Sequence, residues 1–200
     1  MTAPLVQLSD VLNLMPGALS ASDTATLTFL SGAVSDYARR FTGRDFWQTA
    51  YAETYRGRNN NGLFVRQTPI QSVQSLYVNN VPVPAASVDA NGNPVLAAFG
   101  FWFTQKAVYL SGGASFPDSM TPNIVANYTA GYAAPNDYAS LPQDLYLALC
   151  EEVVNQYRSL TRIGIVREQQ QGQSAQFSAG AVLPITKAVL QTYRRTYFST

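Results

Sequence analysis

The sequence predicts an α+β protein in which helices near both ends of the chain flank an antiparallel β region. Apolar residues repeat every three or four positions near the N-terminus and again over residues 141–160. Between them, residues 46–130 alternate apolar and polar side chains and are interrupted by glycine, proline and asparagine. We therefore expect a helical core of an N-terminal helix, a central helix at about 141–160 and a C-terminal helix, with a β region inserted at about 46–130.

The composition is that of a globular chain and excludes several catalytic classes. The 200 residues are 46% hydrophobic, enough to bury a core, and the net charge of +1 gives no global preference for nucleic acid or membrane. Histidine is absent and Cys150 is the only cysteine, which excludes Ser-His and Cys-His pairs and an internal disulfide. No export signal is visible, and no apolar run approaches the ~18 residues of a membrane span.

The N-terminal segment predicts two helices. Ser9 and Asp10 are expected to cap a short first helix. The polar residues Ser20–Asp23 then open a longer helix that runs to about Thr42 and ends at Gly43. Its apolar residues form a single stripe, typical of one-sided burial: Leu27, Leu30, Val34, Tyr37, Ala38 and Phe41.

The middle of the chain predicts about five or six strands. Phe46–Arg56 is expected to turn through GRNNNG into Leu63–Val65 as a hairpin. Ser72–Val78 forms a further strand, and Asn79 and Asn80 predict a tight turn because asparagine tolerates positive φ.

Two more elements complete the β region. Val95–Phe103 and Ala107–Leu110 are expected to form a second hairpin. The last strand begins at Asn123 with alternating side chains, and Gly131 ends it.

The helix at about 141–160 is expected to lie at the centre of the molecule. Ser140, Pro142 and Gln143 predict a capped start. Its apolar side covers about half the circumference, more than the ~100° stripe of a surface helix, and the opposite side is expected to hold Glu151 and Glu152. The candidate residues for core or subunit packing on the apolar side are Tyr146, Leu149, Val153, Val154 and Tyr157.

The chain after Leu160 changes character. We expect residues 1–160 to form the body, residues 161–183 a flexible loop, and residues 184–200 a C-terminal docking helix or arm. The arm can dock on its own chain or on a neighbouring molecule, and its apolar ridge is expected to consist of Ile185, Val189, Tyr193 and Tyr197. Residues 154–200 carry six basic side chains and one acidic one, so contact with an acidic partner or DNA and a simple solvated face both stay open.

No motif for a chemical reaction is present. The sequence lacks the phosphate loop GxxxxGK[ST], the dinucleotide motif GxGxxG and the nucleophile elbow GxSxG. Adjacent Glu151 and Glu152 point about 100° apart on a helix and make no shared site. A carboxylate pair from distant segments, such as Glu53 with Asp89, stays open. We predict no enzyme activity, no metal and no cofactor.

One aromatic strand raises the possibility of nucleic-acid stacking. Trp47, Tyr51 and Tyr55 recur along the first predicted strand and could stack on bases. Only Arg44, Arg56 and Arg58 lie near them, and no RNA-recognition motif does. Core packing is therefore the preferred interpretation.

The order of motifs along almost the whole chain resembles the head-tail connector, or adaptor, proteins of long-tailed bacteriophages. The motifs are the helix end RRFTGR, the strand ETYRG, the stretch LFVRQTPIQSVQSLYVNN, the strand and loop NYTAGYAAPNDY, the helix start LPQDLYLAL and the tail LPITKAVLQTYRR. Their order and spacing carry the resemblance, because each motif alone describes only a strand, a turn or a helix.

This resemblance implies a structural role in the virion. Proteins of this family form a ring, typically of twelve subunits, beneath the portal and extend the DNA channel toward the head-completion protein and the tail, with assembly in the host cytoplasm. Their C-terminal segment reaches the portal, which implies these candidate portal-binding residues: Arg162, Arg167, Lys187, Tyr193, Arg194, Arg195 and Tyr197. DNA would pass without sequence-specific binding, and the mildly acidic body suits that. The region 81–122 is longer than compact helical members of the family require.

Two alternatives stay open on the sequence. The chain could serve another station of the same virion, as a tail-terminator or head-completion (stopper) protein. It could also belong to another class, a carboxylate-metal hydrolase. No membrane partner is expected in either case.

Overall fold

A computed structural model describes residues 3–15, 17, 19–160, 167–170, 173–176 and 182–195. It confirms the α+β class, with helices before and after an inserted antiparallel β region in chain order. Contacts divide the chain into two compact units, which we call the helical unit (Met1–Phe46 with Pro135–Thr200) and the β unit (Trp47–Ala134).

The described elements have the following bounds. The helices are α1 (Leu8–Asn13), α2 (Ala21–Thr42), α3 (Gln143–Leu160) and α4 (Pro184–Thr192), with a short 3-10 helix at Tyr138–Ser140. The strands are β1 (Thr49–Tyr55), β2 (Gly62–Phe64), β3 (Ile70–Val78), β4 (Val81–Val83), β5 (Phe101–Phe103), β6 (Ala107–Leu110), β7 (Ile124–Ala130), β8 (Arg167–Gln170) and β9 (Gln173–Gln176). The pair β8 and β9 lies where the sequence predicts a loop.

Helix α2 begins and ends as the sequence predicts. The Ser20 hydroxyl accepts the Asp23 N–H at 3.2 Å, and the Asp23 carboxylate accepts the Ser20 N–H at 2.9 Å, which completes a capping box. At the other end Gly43 adopts a φ of 67°, and its N–H donates a hydrogen bond to the Arg39 carbonyl.

The two other predicted helix caps are wrong. Helix α1 starts after Gln7 without a side-chain cap, and the Ser9 hydroxyl instead lies 3.4 Å from the Asp10 carboxylate. The Ser140 hydroxyl donates to the Asp137 carboxylate at 2.6 Å within the 3-10 helix and does not reach the start of α3. In both places the serine is not the residue that precedes the helix: Ser9 lies inside α1, and Ser140 lies three residues before α3 begins, which sequence spacing does not reveal.

Helix α3 lies at the centre of the helical unit, as predicted, and packs against α1, α2 and α4. Its buried residues are Leu145, Ala148, Leu149, Cys150, Glu152, Val153 and Val154. Glu152 was expected on the polar side and is 1% exposed, whereas the apolar Leu147 of the same helix is 51% exposed. No helix in the described part of the chain is both long and apolar enough to cross a lipid bilayer.

The β unit contains two antiparallel sheets. One has the order β1-β7-β3-β4 and the other β2-β6-β5. The predicted hairpin of β5 with β6 is confirmed, but its first strand is only Phe101–Phe103. The core of this unit consists of Leu63, Val65, Ile70, Leu76, Val83, Phe101, Val108, Leu110, Phe116, Ile124, Ala126, Tyr128 and Ala130.

The predicted hairpin of β1 with the segment Leu63–Val65 is wrong. β1 pairs with β7 along its whole length, and β2 pairs with β6. The chain leaves the first sheet at Gly57, where a Cβ atom would lie 1.9 Å from the Pro117 carbonyl oxygen. Glycine permits this close approach, after which the chain enters the second sheet. The local sequence pattern does not predict this change of sheet.

Two turns of the β unit match the sequence. Asn79 and Asn80 adopt φ values of 51° and 63° between β3 and β4. Gly131 ends β7 at a φ of 130°, and a Cβ atom there would lie 2.4 Å from the Trp47 carbonyl oxygen. Only glycine satisfies both constraints at that position.

We expect Ser20→Ala to lower the free energy of unfolding by about 1 kcal/mol because the first turn of α2 loses its cap. Urea unfolding followed by circular dichroism measures this change. The matched control is Ser9→Ala, which removes a hydroxyl that caps no helix and should stay within about 0.5 kcal/mol of the parent. Equal losses in the two variants would contradict the assigned cap.

Candidate functional site

The predicted docking helix α4 packs on α3 of its own chain. Thr186 and Leu190 are fully buried, and the Thr186 hydroxyl donates to the Ala148 carbonyl at 3.3 Å. Ile185 was expected on the apolar ridge and is 59% exposed. The buried side of α4 is therefore rotated by about one residue (roughly 100°) from the predicted ridge.

A buried carboxylate fixes the start of α4. Oε2 of Glu152 accepts the N–H of Leu183, the residue before α4, at 2.9 Å. Oε1 of Glu152 accepts a hydrogen bond from Gln156 Nε2, also at 2.9 Å. A negative charge at a helix N-terminus is favourable because the first amides and the helix dipole are positive there. Glu152 thus joins α3 to α4 and is itself satisfied.

Tyrosine hydroxyls join the other helices of this unit in a similar way. Each donates to a carboxylate in the first turn of a neighbouring helix: Tyr146 to Asp10 at 2.5 Å, Tyr157 to Asp23 at 2.7 Å, and Tyr193 to Asp144 at 2.7 Å. The bonds from Tyr157 and then Ser20 lower the pKa of Asp23, while burial and then the Asp10 bond raise the pKa of Tyr146.

The predicted packing residues of α3 are used inside the chain. Leu149, Val153 and Val154 are buried, and Tyr146 and Tyr157 are partly buried and hydrogen-bonded. Little of their surface is left for a neighbouring subunit. The broad apolar arc read from the sequence therefore corresponds to α3 contacting three helices of its own chain.

The predicted portal-binding residues have different surroundings. Lys187 and Arg194 are exposed, and the Arg194 guanidinium lies 5.9 Å from the centre of the Phe41 ring. The Tyr193 ring meets Phe46 edge-on at 6.2 Å, and Arg195 donates its N–H to the Thr42 carbonyl at 2.8 Å. Arg162 and Tyr197 lie outside the described residues, and only the backbone of Arg167 is described.

The sequence did not predict that Arg40 lies near the basic residues of α4. The contacts of Arg194 and Arg195 bring the end of α4 beside the last turn of α2, which carries exposed Arg40. Its neighbour Arg39 is occupied, because it forms ion pairs with Asp36 and Asp45. Basic residues in the last turn of α2 were the available signal, but their proximity to α4 depends on tertiary structure.

The two carboxylates that the sequence left open as a pair, Glu53 and Asp89, accept hydrogen bonds from separate sets of partners. Glu53 accepts hydrogen bonds from the hydroxyls of Tyr55 and Tyr128, the latter at 2.6 Å. Asp89 closes a turn by accepting backbone N–H groups, including that of Asn93 at 2.8 Å. Among the residues that the structure describes, no cluster of three metal-ligating side chains occurs.

The aromatic residues of the first strand pack in the core, as preferred from the sequence. Trp47 is 1% exposed, and Tyr51 packs against the ring of Tyr128 with 5.6 Å between ring centres. Tyr55 is partly buried, and the Arg66 guanidinium lies 5.2 Å from its ring centre. These rings form no open platform for bases.

The only cysteine is a core residue. Cys150 is 2% exposed on α3, and burial raises the pKa of its thiol to about 11. A thiol that stays protonated is a poor nucleophile. The position therefore supports packing within the helical unit.

Three solved structures of gene transfer agent (GTA) particles share this fold. The neck of an empty GTA particle, computed with C6 symmetry, matches with a TM-score of 0.55 and 18% identity over 96% of this chain and 90% of that chain. The virion of a native GTA particle matches with a TM-score of 0.56 and 19% identity over 98% and 93% of the two chains. The neck of a native GTA particle, computed with C12 symmetry, matches with a TM-score of 0.51 and 18% identity over 94% of this chain and 88% of that chain.

Sequence comparisons give no closer assignment. No protein-family model matches the sequence. A search of curated proteins gives no match either. The structural likeness, at these identities, establishes the shared fold.

We expect Glu152→Ala to destabilise the protein by about 1–3 kcal/mol, because the partly buried N–H of Leu183 loses its acceptor. Hydrogen exchange should become faster at the amides of α4, and urea unfolding gives the size of the loss. Glu151→Ala is the matched control, since Glu151 is the adjacent acid and is exposed; it should change stability by no more than about 0.5 kcal/mol. Unchanged exchange in α4 of the Glu152 variant would contradict the assigned role.

The tyrosine cluster of the β unit predicts alkaline instability. Burial, followed by hydrogen bonding to Glu53, raises the pKa values of Tyr55 and Tyr128 above their ordinary value of 10.0. The stability that they confer is therefore present below pH 10 and is lost as the pH rises toward the folded-state pKa values. Unfolding measured from pH 7 to about pH 12, with ultraviolet titration of the phenols, should show this loss.

The variant Tyr55→Phe should make the alkaline loss less steep, because one of the two shifted phenols is removed. Tyr109→Phe leaves the cluster intact and should retain the parent's steepness. An equally steep loss in Tyr55→Phe and the parent would show that the cluster does not cause it.

Proposed function

We propose that this chain is a structural protein of the neck of a phage-like particle, where it forms a ring at the head-tail junction. The supporting observation is a shared fold over 96% of the chain with a component of a GTA neck. The match spans both the helical unit and the β unit, so neither unit has to be explained separately. The interhelical contacts seen in the described residues are compatible with such a structural role.

The more specific proposal is an adaptor that attaches to the portal. In this role a ring of twelve copies extends the DNA channel toward the head-completion protein and the tail, and DNA passes through it without sequence-specific contact. A similar chain occurs in a neck computed with C12 symmetry, which supports a ring of that size. The protein would reside in the virion neck after assembly in the host cytoplasm, and it would have no enzymatic activity.

The proposed portal-binding surface lies at the end of α4 and the last turn of α2. Arg194 and Arg40 are exposed there, and Lys187 is exposed in the first turn of α4; these three side chains could meet acidic side chains of the portal. Arg195 and Tyr193 are partly buried and position this surface through their contacts within the helical unit. The remaining candidates are Arg162, Arg167 and Tyr197.

Deleting the whole segment 184–200 is a poor test of this surface. The deletion would remove buried Leu190 from the core. It would also remove the helix that follows Leu183, whose N–H bonds to the Glu152 carboxylate. Loss of attachment could then follow from loss of folding. Substitutions of exposed charges avoid this difficulty.

A second station in the same neck remains a candidate, because the structural likeness concerns neck and virion particles as a whole. A tail-terminator or head-completion protein would bind the tail tube or the adaptor ring in place of the portal. Binding to purified portal rings and to purified tail tubes, measured side by side, separates the two roles.

We expect the double variant Lys187→Glu with Arg194→Glu to bind purified portal rings at least about tenfold more weakly, equivalent to about 1.4 kcal/mol. Like-charge repulsion at an interface is the physical reason, and the parent's binding should weaken with added salt. Surface plasmon resonance with full-length chains measures both effects. The matched control is Arg56→Glu with Arg58→Glu, two exposed arginines of the β unit.

Equal weakening by both double variants would indicate a general charge effect and contradict the assigned surface. Tight binding of the parent to tail tubes, with none to portal rings, would favour the second station.

A further inference from the structure

Strand β1 lies at one edge of the four-stranded sheet, whose order is β1-β7-β3-β4. Its seven residues pair with β7 on one side only. The other strands at the edges of the two sheets, β2, β4 and β5, have three residues each, and β4 contains Pro82. Short edge strands and proline protect a sheet from pairing with further strands. In the described part of the β unit, β1 is therefore the long edge that lacks this protection.

The backbone of β1 presents unused hydrogen-bonding groups at this edge. The Asn123 N–H donates to the Tyr55 carbonyl at 3.0 Å, so the Tyr55 backbone faces the β7 side. Backbone groups of successive residues in a strand point alternately to its two sides. The N–H and C=O groups of Ala50, Ala52 and Thr54 therefore face away from β7, and within the described residues they have no hydrogen-bond partner. We call these groups the free edge of β1.

The side chains at the free edge are small and uncharged. Ala50, Ala52 and Thr54 are all exposed. The one charged residue of β1 is Glu53, and its carboxylate accepts hydrogen bonds from two tyrosine hydroxyls of the β unit. Lysine and proline, which commonly protect an edge strand, do not occur in β1. Neither charge nor bulk at the free edge opposes the addition of another strand.

The hairpin of β8 and β9 consists of two strands only. Its pairs run from Arg167 with Gln176 to Gln170 with Gln173, and no third strand joins them among the described residues. A two-stranded hairpin is marginally stable in water and needs a third strand or a packed helix for a stable structure. Neither strand contains proline, so the backbone of each can pair fully with a third strand.

The position of the hairpin along the chain allows it to reach a neighbouring molecule. Residues 161–166 join it to α3, and residues 177–183 join it to α4. A connection of six residues spans up to about 20 Å when it is extended. In their own chain the hairpin and β1 belong to separate sheets. Both can therefore pair with a second molecule.

We propose that the β8–β9 hairpin of one copy adds to the free edge of β1 of the next copy and so joins neighbouring subunits of the ring. This inference rests on the proposed ring function and names the contact that builds the ring. Strand addition derives its affinity from main-chain hydrogen bonds, which both partners can supply here. A contact between two different surfaces of one molecule is heterologous, and such contacts close into a ring when the rotation allows.

The pairing requirements of both elements favour a second copy as the occupant. A strand of a different virion protein would satisfy β1 but leave the hairpin without a third strand. Each copy supplies one such hairpin and one such edge in its described part, so the two occur in equal numbers. A closed ring of copies therefore leaves neither of them unpaired.

Cross-linking between two full-length variants tests the contact. One chain carries Ala52→Cys, and the other carries a single new cysteine at one position of β8 or β9. The native Cys150 is 2% exposed and should not react. After mixing and treatment with a short bismaleimide, we expect dimers that contain one chain of each kind. Because side chains alternate between the two faces of a strand, the positions that cross-link should recur at every second residue of one hairpin strand.

A blocking variant, Ala52→Pro, tests whether the contact builds the ring. It removes one N–H of the free edge and no hydrogen bond to β7, so circular dichroism melting should show an unchanged fold. Ala52→Thr is the matched control, because it keeps the N–H and suits a strand. Native mass spectrometry of free chains, and of chains added to purified portal rings, should show rings for the parent and the control and loss of rings for Ala52→Pro. Thr54→Pro is a second blocking variant at an equivalent exposed position.

The contact would be overturned, with the ring role intact, if the parent and both proline variants formed rings equally well. A parent that forms rings but cross-links at no hairpin position, or equally at all of them, would overturn it too. A parent chain that forms no ring, either alone or on portal rings, would overturn the proposed ring function and the contact together.

Discussion

The carboxylate of Glu152 joins the C-terminal helix to the rest of the helical unit. It is 1% exposed and accepts the backbone N–H of Leu183 at the start of α4. α4 has nine residues, too few for a stable isolated helix in water, so its structure depends on this docking. The basic residues at the end of α4 lie beside the last turn of α2. Their position consequently depends on the same buried carboxylate.

Hydrogen bonds from phenols to carboxylates recur in both units. In the helical unit they connect the first turns of helices to tyrosines of neighbouring helices, for example Tyr157 to Asp23. In the β unit, Glu53 accepts from Tyr55 and Tyr128. The composition, with twelve tyrosines, twelve acidic residues and no histidine, is therefore consistent with a chain whose ionisable groups hold its secondary structure in place. Such internal fixation suits a ring subunit, whose exposed surfaces must keep their positions.

The sequence predicted the fold class, the bounds of α2 and the central place of α3, because capping residues and long helical periods are local signals. It failed where partners are distant along the chain. The pairing of β2 with β6 depends on the close approach of Gly57 to Pro117, and burial of Glu152 depends on Leu183, 31 residues later. Of the candidate site, the basic residues of α4 were visible in the sequence, whereas the proximity of Arg40 to them required the tertiary structure.

The most direct test of the central claim is an electron cryomicroscopy reconstruction of the neck in particles that contain this chain. Our account predicts a closed ring between the portal and the tail, with density that fits the helical unit and the β unit in every subunit. Density for this chain at any other place in the particle, or its absence from purified particles, would contradict the account.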